Sequence, residues 1–583
     1  MAYARVQTIV VIGGAQAGPV AAARAREFSE HARIILLEKA PHVSWVQADL
    51  KSHLKGRVPR LDVLDQDRTN FFEKRYRIEV RTNTEAIALD NDSRRVLVRS
   101  PDGEERIRYD AVIFAGGADT VVPDVKHLDG PRVTKFRNID DLNAINAALE
   151  GGAKSAVVLG GGATGMLALE GLRSCGLTVT VVDRDRRLLP GLSIEAAQAA
   201  LHAVRQTGVE VLLGDYVVGS EPLANDGRKL ILASGRSLDA DLVVICTGMR
   251  PRSKLLKDAG ASLNRNGTIR VDRHMMTTLP GIYACGTAVS VPHAVTEGPV
   301  WLVQDSIQHR TAQIAGRSAA VGRNGAKESL SPVAATTLHE AGQSWFARTG
   351  LSLGQARSAL GNDRILLATV HGWSAEAWLS GCPVCVRLVV DKEMNRVVGG
   401  EVWGETSDVA RRIDILAAAV LEKWAPSRIA DLDMAYAPPL GPAHDPVNAA
   451  GVLAENMRTG EVQGMSPDQL AFRLNQGDSI QLVDVDNARA EEMERQWPGE
   501  TVNIPLDKLR ESLDALDTQK PVVLLSYTGQ HAHTGCRILA QHGFEHVYFL
   551  DGGYLTWQLT LNPEKPKENS SSIQFQPVTG TAS

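Results

Sequence analysis

Cysteine is scarce in this chain: six residues in 583, at positions 175, 246, 285, 382, 385 and 536. So few cannot frame a protein of this length with disulfides, and a cytoplasmic location is expected. Long apolar runs are missing. None reaches the ~18 residues that a membrane span needs, so no membrane partner is expected. An excess of either charge is missing too. With 63 Lys and Arg against 68 Asp and Glu, the net charge of −5 gives no global attraction to nucleic acid. The start carries no signal-peptide pattern, because Met1-Ala2-Tyr3-Ala4-Arg5 leads straight into an apolar strand pattern. What is present is ordinary globular composition, 44% hydrophobic and 22% charged. The length suits about three to five domains.

The most organised stretch opens the chain. Ile9-Val10-Val11-Ile12 reads as a buried parallel strand that breaks into Gly13, Gly14 and Gly18. An Ala- and Arg-rich helix is expected from about Pro19 to Glu30. Strand, glycine turn and helix together bring backbone N–H groups and a positive helix end up to a pyrophosphate. Ala15 holds the position where the strict G-x-G-x-x-G spacing has its middle glycine. Glu38, beside Lys39, ends the next apolar strand about twenty residues on, where a carboxylate accepts hydrogen bonds from a ribose. The alternative is an ordinary βα turn without a dinucleotide.

The pattern recurs. Ala156-Val-Val-Leu159 runs into Gly160, Gly162 and Gly165, and the following strand, Val179-Thr-Val-Val182, ends in Asp183. Strand, full glycine spacing, helix and acid agree, which makes this the stronger signal. Asp183 favours a free 2′-hydroxyl and hence NADH, whereas Arg184, Arg186 and Arg187 keep NADPH open. Leu242-Val-Val-Ile-Cys-Thr-Gly248 closes the second unit. Tyr109-Asp-Ala-Val-Ile-Phe-Ala-Gly116-Gly117 and Gly281-Ile-Tyr-Ala-Cys-Gly286-Thr287 belong to the first. Two Rossmann-like units nested in this way suit hydride transfer from a nicotinamide to a flavin. Residues 1–125 and 258–325 are expected to form one domain and residues 126–257 the other. Residues 323–332 read as a linker, residues 333–455 as a mixed α+β domain and residues 460–562 as a last α/β domain. The tail at 563–583 is expected to be disordered.

These residues resemble the pyridine nucleotide–disulfide oxidoreductase family, in particular coenzyme A disulfide and persulfide reductases with a fused C-terminal rhodanese domain. The likeness also rests on Tyr436-Ala-Pro-Pro, Asp445-Pro-Val-Asn448, Leu482-Val-Asp-Val485 and Leu550-Asp-Gly-Gly-Tyr-Leu-Thr-Trp557. It implies FAD on the first unit and NADH or NADPH on the second. It also implies a homodimer through residues 333–455, with Tyr436 near the partner's active site. The departures fall on the chemistry. Ala48, in Ser44-Trp-Val-Gln47-Ala48, stands where the family places its redox cysteine, and Ser526 stands where a rhodanese loop places its persulfide cysteine. Leu167 replaces a usual Glu, and Thr287 replaces a usual Asp. Arg24, Ser44, Gln47 and the basic run Lys51, Lys55, Arg57 and Arg60 are candidates to hold an acceptor such as a CoA derivative. The run reads equally as a solvated face, and Glu27 stands where the resembling sequences are usually basic.

Cys175, Cys246, Cys285 and Cys536 read as core. Cys382-Pro-Val-Cys385 is a C-x-x-C pair just after Trp378-Leu-Ser-Gly381. It is a candidate relocated dithiol, acting in trans for the cysteine missing at Ala48, or else a packed strand end or a zinc site at a two-fold axis. His531 and His533 follow Ser526 with no identifiable orienting acid, so a surface loop is favoured there over a nucleophile. Three functions stand open. The first is an FAD- and NAD(P)H-dependent reductase of a disulfide, CoA derivative or quinone-like acceptor. The second is a thiol-independent flavoprotein oxidase or electron-transfer subunit, and the third is a non-catalytic binding or sensor protein.

Overall fold

A computed structural model describes residues 7–56, 68–322, 325, 327–376, 381–487 and 496–560. Arg57, Arg60, Trp378, part of the expected linker and the tail from 563 lie outside the described residues. The chain divides into two compact units, 1–188 with 208–335, and 189–207 with 336–583.

The first unit is built on two parallel five-stranded sheets. In the first sheet the strands run in the order Ile282–Ala284, Ala111–Phe114, Thr8–Ile12, Arg33–Leu37, Ile78–Arg81. In the second the order is Glu210–Leu213, Thr178–Asp183, Ser155–Leu159, Leu242–Ile245, Val133–Lys135. Their central strands are nearly continuous Val, Ile and Leu because both faces are covered. Ile9, Val10 and Val11 have no exposed surface, and burial of each such side chain stabilises the fold by about 1.5–3 kcal/mol. Helices Ala17–Phe28 and Asp305–Val321 pack together beside the first sheet. The first helix starts two residues before Pro19 and ends two before Glu30. Proline is tolerated in a first helical turn, where its missing N–H has no intrahelical partner.

The second unit holds an antiparallel five-stranded sheet in the order Thr337–Ala341, Ser344–Gly350, Arg396–Gly404, Pro383–Asp391, Ile365–Trp373. Helices Val409–Leu421 and Pro446–Arg458 cover it. A second, parallel sheet follows in the order Gly464–Met465, Val547–Leu550, Val522–Leu525, Gln481–Asp484, Thr501–Asn503. Segment 189–207 was expected within the second nucleotide unit, yet it clusters here. Charge explains this. Arg387, 1% exposed, donates to Glu195 of that segment at 2.8 Å, and Glu401 accepts the Ser193 N–H at 2.7 Å. A buried charge stays in place only when it is paired.

Among the described residues no helix is long and apolar enough to cross a membrane.

Candidate active site

The two glycine turns are built alike. Gly13 and Gly160 adopt φ of +108° and +113°, and a Cβ on either would run into a backbone carbonyl of the neighbouring strand end, Ala115 or Cys246. A Cβ on Gly18 or Gly165 would run into the carbonyl of that first glycine. Only glycine fits these four positions. The acids close each turn. Glu38 accepts the N–H of Gly14 at 2.6 Å and of Ala40 at 2.9 Å. Asp183 accepts those of Gly161 at 2.5 Å and Asp185 at 2.8 Å, and burial holds its carboxyl above the usual range. Helices Ala17–Phe28 and Ala163–Ser174 follow, each without an acid in its first turn. Their N–H groups and positive ends are thus kept for an anion.

Gly162 behaves differently, since a Cβ there would meet nothing within 4 Å. The protein itself does not require glycine at that position, which accounts for Ala15 in the first turn. Gly248, at φ +118°, faces open space in the same way. Both are places where a flat ligand can approach the backbone closely. The residues present therefore fit two dinucleotides.

Loops that follow strands of both sheets meet at a junction within the first unit. Gly116 and Gly117 end one strand of the first sheet, and Gly286 and the buried Thr287 end another. The Gly286 N–H donates to Thr311 at 3.0 Å, and Trp301 donates its indole N–H to the Thr287 carbonyl at 2.8 Å. Arg137 reaches this junction from the segment after the second sheet's edge strand. Its Nη1 donates to Gln47 at 2.9 Å and contacts the Met249 sulfur at 3.4 Å. Gln47 also donates to the Phe136 carbonyl. Ala48 is exposed in the first turn of helix Gln47–Leu54, so a methyl group stands one residue from this contact. Ser44 holds φ at +61°, a strained value for serine, and its N–H bonds the Gly14 carbonyl at 2.7 Å.

Residues 7–310 match the family of pyridine nucleotide-disulphide oxidoreductases, and residues 466–560 match the rhodanese-like domain. The chain belongs to the pyridine nucleotide-disulphide oxidoreductase family. It is an FAD-dependent NAD(P)H oxidoreductase, as the members of that family are. An NADH oxidase of Methanocaldococcus jannaschii is 26% identical over 76% of this chain and 97% of its own. A CoA-dependent NAD(P)H sulfur oxidoreductase of Pyrococcus abyssi is 26% identical over 76% and 96%. Among solved structures, a reduced CoADR-RHD from Bacillus anthracis has a TM-score of 0.89 at 25% identity, covering 95% of this chain and 98% of that one. An NAD-dependent persulfide reductase from A. fulgidus has a TM-score of 0.85 at 28% identity, covering 94% and 100%.

Not every expected site residue of this oxidoreductase reaches the junction. Arg24 is spent on two carboxylates, Glu27 at 2.5 Å and Glu328 at 2.6 Å, and stacks on Phe28. Lys55 pairs with Glu170 at 3.7 Å. Neither is vacant for a phosphate of a CoA-like ligand. Lys39 is exposed. Tyr436 is 55% exposed in the second unit.

The two thiols of the expected trans dithiol, Cys382 and Cys385, differ in their surroundings. No disulfide joins Cys382 and Cys385. Cys382 extends the ladder of strand Pro383–Asp391, exchanging hydrogen bonds with Ser374. Cys382 lies just before that strand and Cys385 within it. Cys385 is buried 3.8 Å from His371, and burial pushes its thiol well up, away from a reactive thiolate. For Cys385 these surroundings are those of a packed strand.

The rhodanese-like loop keeps its cradle. Ser526 is buried, and its Oγ accepts the N–H groups of Gly529 at 3.1 Å and Ala532 at 3.2 Å, ahead of helix Gln530–Gln541. An orienting acid does exist, against the sequence reading. Asp486 lies 2.7 Å from His531 Nδ1 and accepts the Tyr527 N–H at 2.7 Å. It lies one residue past the Leu482–Val485 motif, and the separation of 45 positions between Asp486 and His531 hides the contact in the sequence. The His531 ring is mostly exposed, while Ser526 is buried.

Proposed function

We propose that this oxidoreductase passes electrons from NADH or NADPH through FAD directly to a small acceptor, with no thiol relay. The observation that carries this reading is position 48. A methyl group stands beside Gln47, next to the Gly116–Thr287 junction, where the resemblance places a thiol. FAD would be held on the first turn by Gly13, Gly14, Gly18 and Glu38, together with Gly116, Gly286 and Thr287. The nicotinamide coenzyme would be held by Gly160, Gly162, Gly165 and Asp183, with Gly248 beside it. FAD supplies the two-electron chemistry, and the chain supplies binding, orientation and charge. The buried Cys385, whose thiol is pushed well up by burial, supports a thiol-free route.

The acceptor belongs to the compounds on which the sulfur-handling relatives act, CoA disulfides and persulfides, or is a quinone-like molecule reduced without covalent chemistry. The chain acts as a homodimer through residues 333–455, a reading supported by exposed Trp373, Tyr436 and Leu440 there. The last domain is a binding module, because a hydroxyl at 526 cannot hold sulfane sulfur.

The test is NADH-dependent turnover of purified protein with menadione, ferricyanide, oxygen and CoA disulfide. Turnover of a non-thiol acceptor that survives alkylation of the cysteines is expected. Turnover abolished by alkylation, or by Cys382→Ser, would sink the thiol-free route.

A further inference from the structure

Arg137 is the residue whose surroundings the proposed function leaves unexplained. Three sides of it are occupied. Nη1 faces Gln47 and the Met249 sulfur, both neutral, and its backbone N–H is taken by Asp141 at 2.8 Å. No carboxylate lies within ion-pair distance among the described residues. Nη2 makes no hydrogen bond to them either, and it lies 3.9 Å from the Cβ that Gly117 lacks. Thr287 Oγ1 lies 3.8 Å from that same point. The guanidinium therefore opens onto the space between strand ends of the first sheet and the Gly248–Met249 loop of the second.

The charges around it do not neutralise it at contact. Arg252, a cation that acts on it through space, is engaged with Asp119 at 2.6 Å and with the Gly116 carbonyl at 3.3 Å. Asp305 and Asp119 act only through space. Burial and Arg252 together hold the Arg137 guanidinium below its ordinary value, and burial lifts Asp305. A half-buried cation whose carboxylates, Asp305, Asp119 and Asp141, act on its guanidinium only through space gains from an anion that comes to share its site.

We infer that Arg137 is a positioning residue that stabilises the negative charge appearing at the junction when bound flavin is reduced. The inference rests on the FAD reading above and deepens it. A unit charge a few ångströms away, at an effective dielectric near about 20, shifts an equilibrium by more than about tenfold. Arg137 thereby does part of what a thiolate cannot do here, since Ala48 offers neither a charge nor an electron pair.

The test uses flavin-loaded full-length protein, with R137M and R137K beside the wild type. The readout is the two-electron midpoint potential of the bound flavin, with thermal unfolding as a check on folding. R137M should lower the equilibrium constant for reduction at least about tenfold, about 30 mV for two electrons. R137K, which keeps the charge, should stay within about threefold of the wild type. A purely structural role would move both variants together or neither. R137M with an unchanged potential overturns the inference, as does R137K falling as far as R137M. R137Q, with an amide in place of the cation, serves if R137M does not fold. Wild type that binds no flavin at all overturns the parent reading instead, so the two failures are distinguishable.

Discussion

Asp551 is a fully buried carboxyl whose Oδ1 accepts the Thr369 N–H at 2.9 Å, and burial pushes its pKa up to about 6. An acid whose folded value is raised contributes stability in full below its unfolded value, near 3.8. That contribution is lost as pH rises through about 6. D551N keeps the acceptor oxygen but does not ionise. Its stability relative to the wild type should therefore rise by about 2–3 kcal/mol from pH 4 to pH 7, read from chemical denaturation at both pH values. A pH-independent difference would contradict this. Ser526 gives a second residue-scale prediction. S526C places sulfur under the N–H groups of Gly529 and Ala532. It should acquire thiosulfate:cyanide sulfur transfer, in which the thiolate takes the sulfane sulfur, releases sulfite and hands the sulfur to cyanide. The wild type should show none, and equal rates would refute the assignment. Single residues were only partly legible in the sequence. Ala48 and Ser526 could be read because each sits inside a local motif. Arg137, 90 residues from Gln47, and Asp486, 45 from His531, owe their roles to chain segments that only folding brings together.

The βα turns are the elements on which the cofactor reading stands. Their glycine requirement is local, since a Cβ at Gly18 or Gly165 collides with a carbonyl five residues away, so the sequence showed both turns. G18A and G165A should each lose about 1–3 kcal/mol through this overlap, but with different functional results. G18A should purify with little flavin. G165A should keep its yellow colour and be reduced by NADH more slowly, as flavin absorbance in rapid mixing will show. Loss of flavin from G165A alone would reverse the assignment of the two turns. The C-x-x-C pair was ambiguous at this scale. Its spacing suits a redox turn, but Cys385 belongs to a strand paired on both edges, a placement set by distant segments of chain.

For the whole molecule, the two parallel sheets and the last α/β domain were legible from apolar runs ending in glycine. The placement of residues 189–207 in the second unit was not, because it depends on the distant pairing of Glu195 with Arg387. The central claim is that electrons stop at flavin before leaving for an acceptor, with no dithiol in the path. Anaerobic titration of the oxidised, flavin-loaded protein with NADH, followed by absorbance, tests it most directly. The account predicts that one NADH per flavin completes the reduction, with no further uptake and no long-wavelength thiolate-to-flavin band. Two NADH per flavin, or such a band, would contradict it.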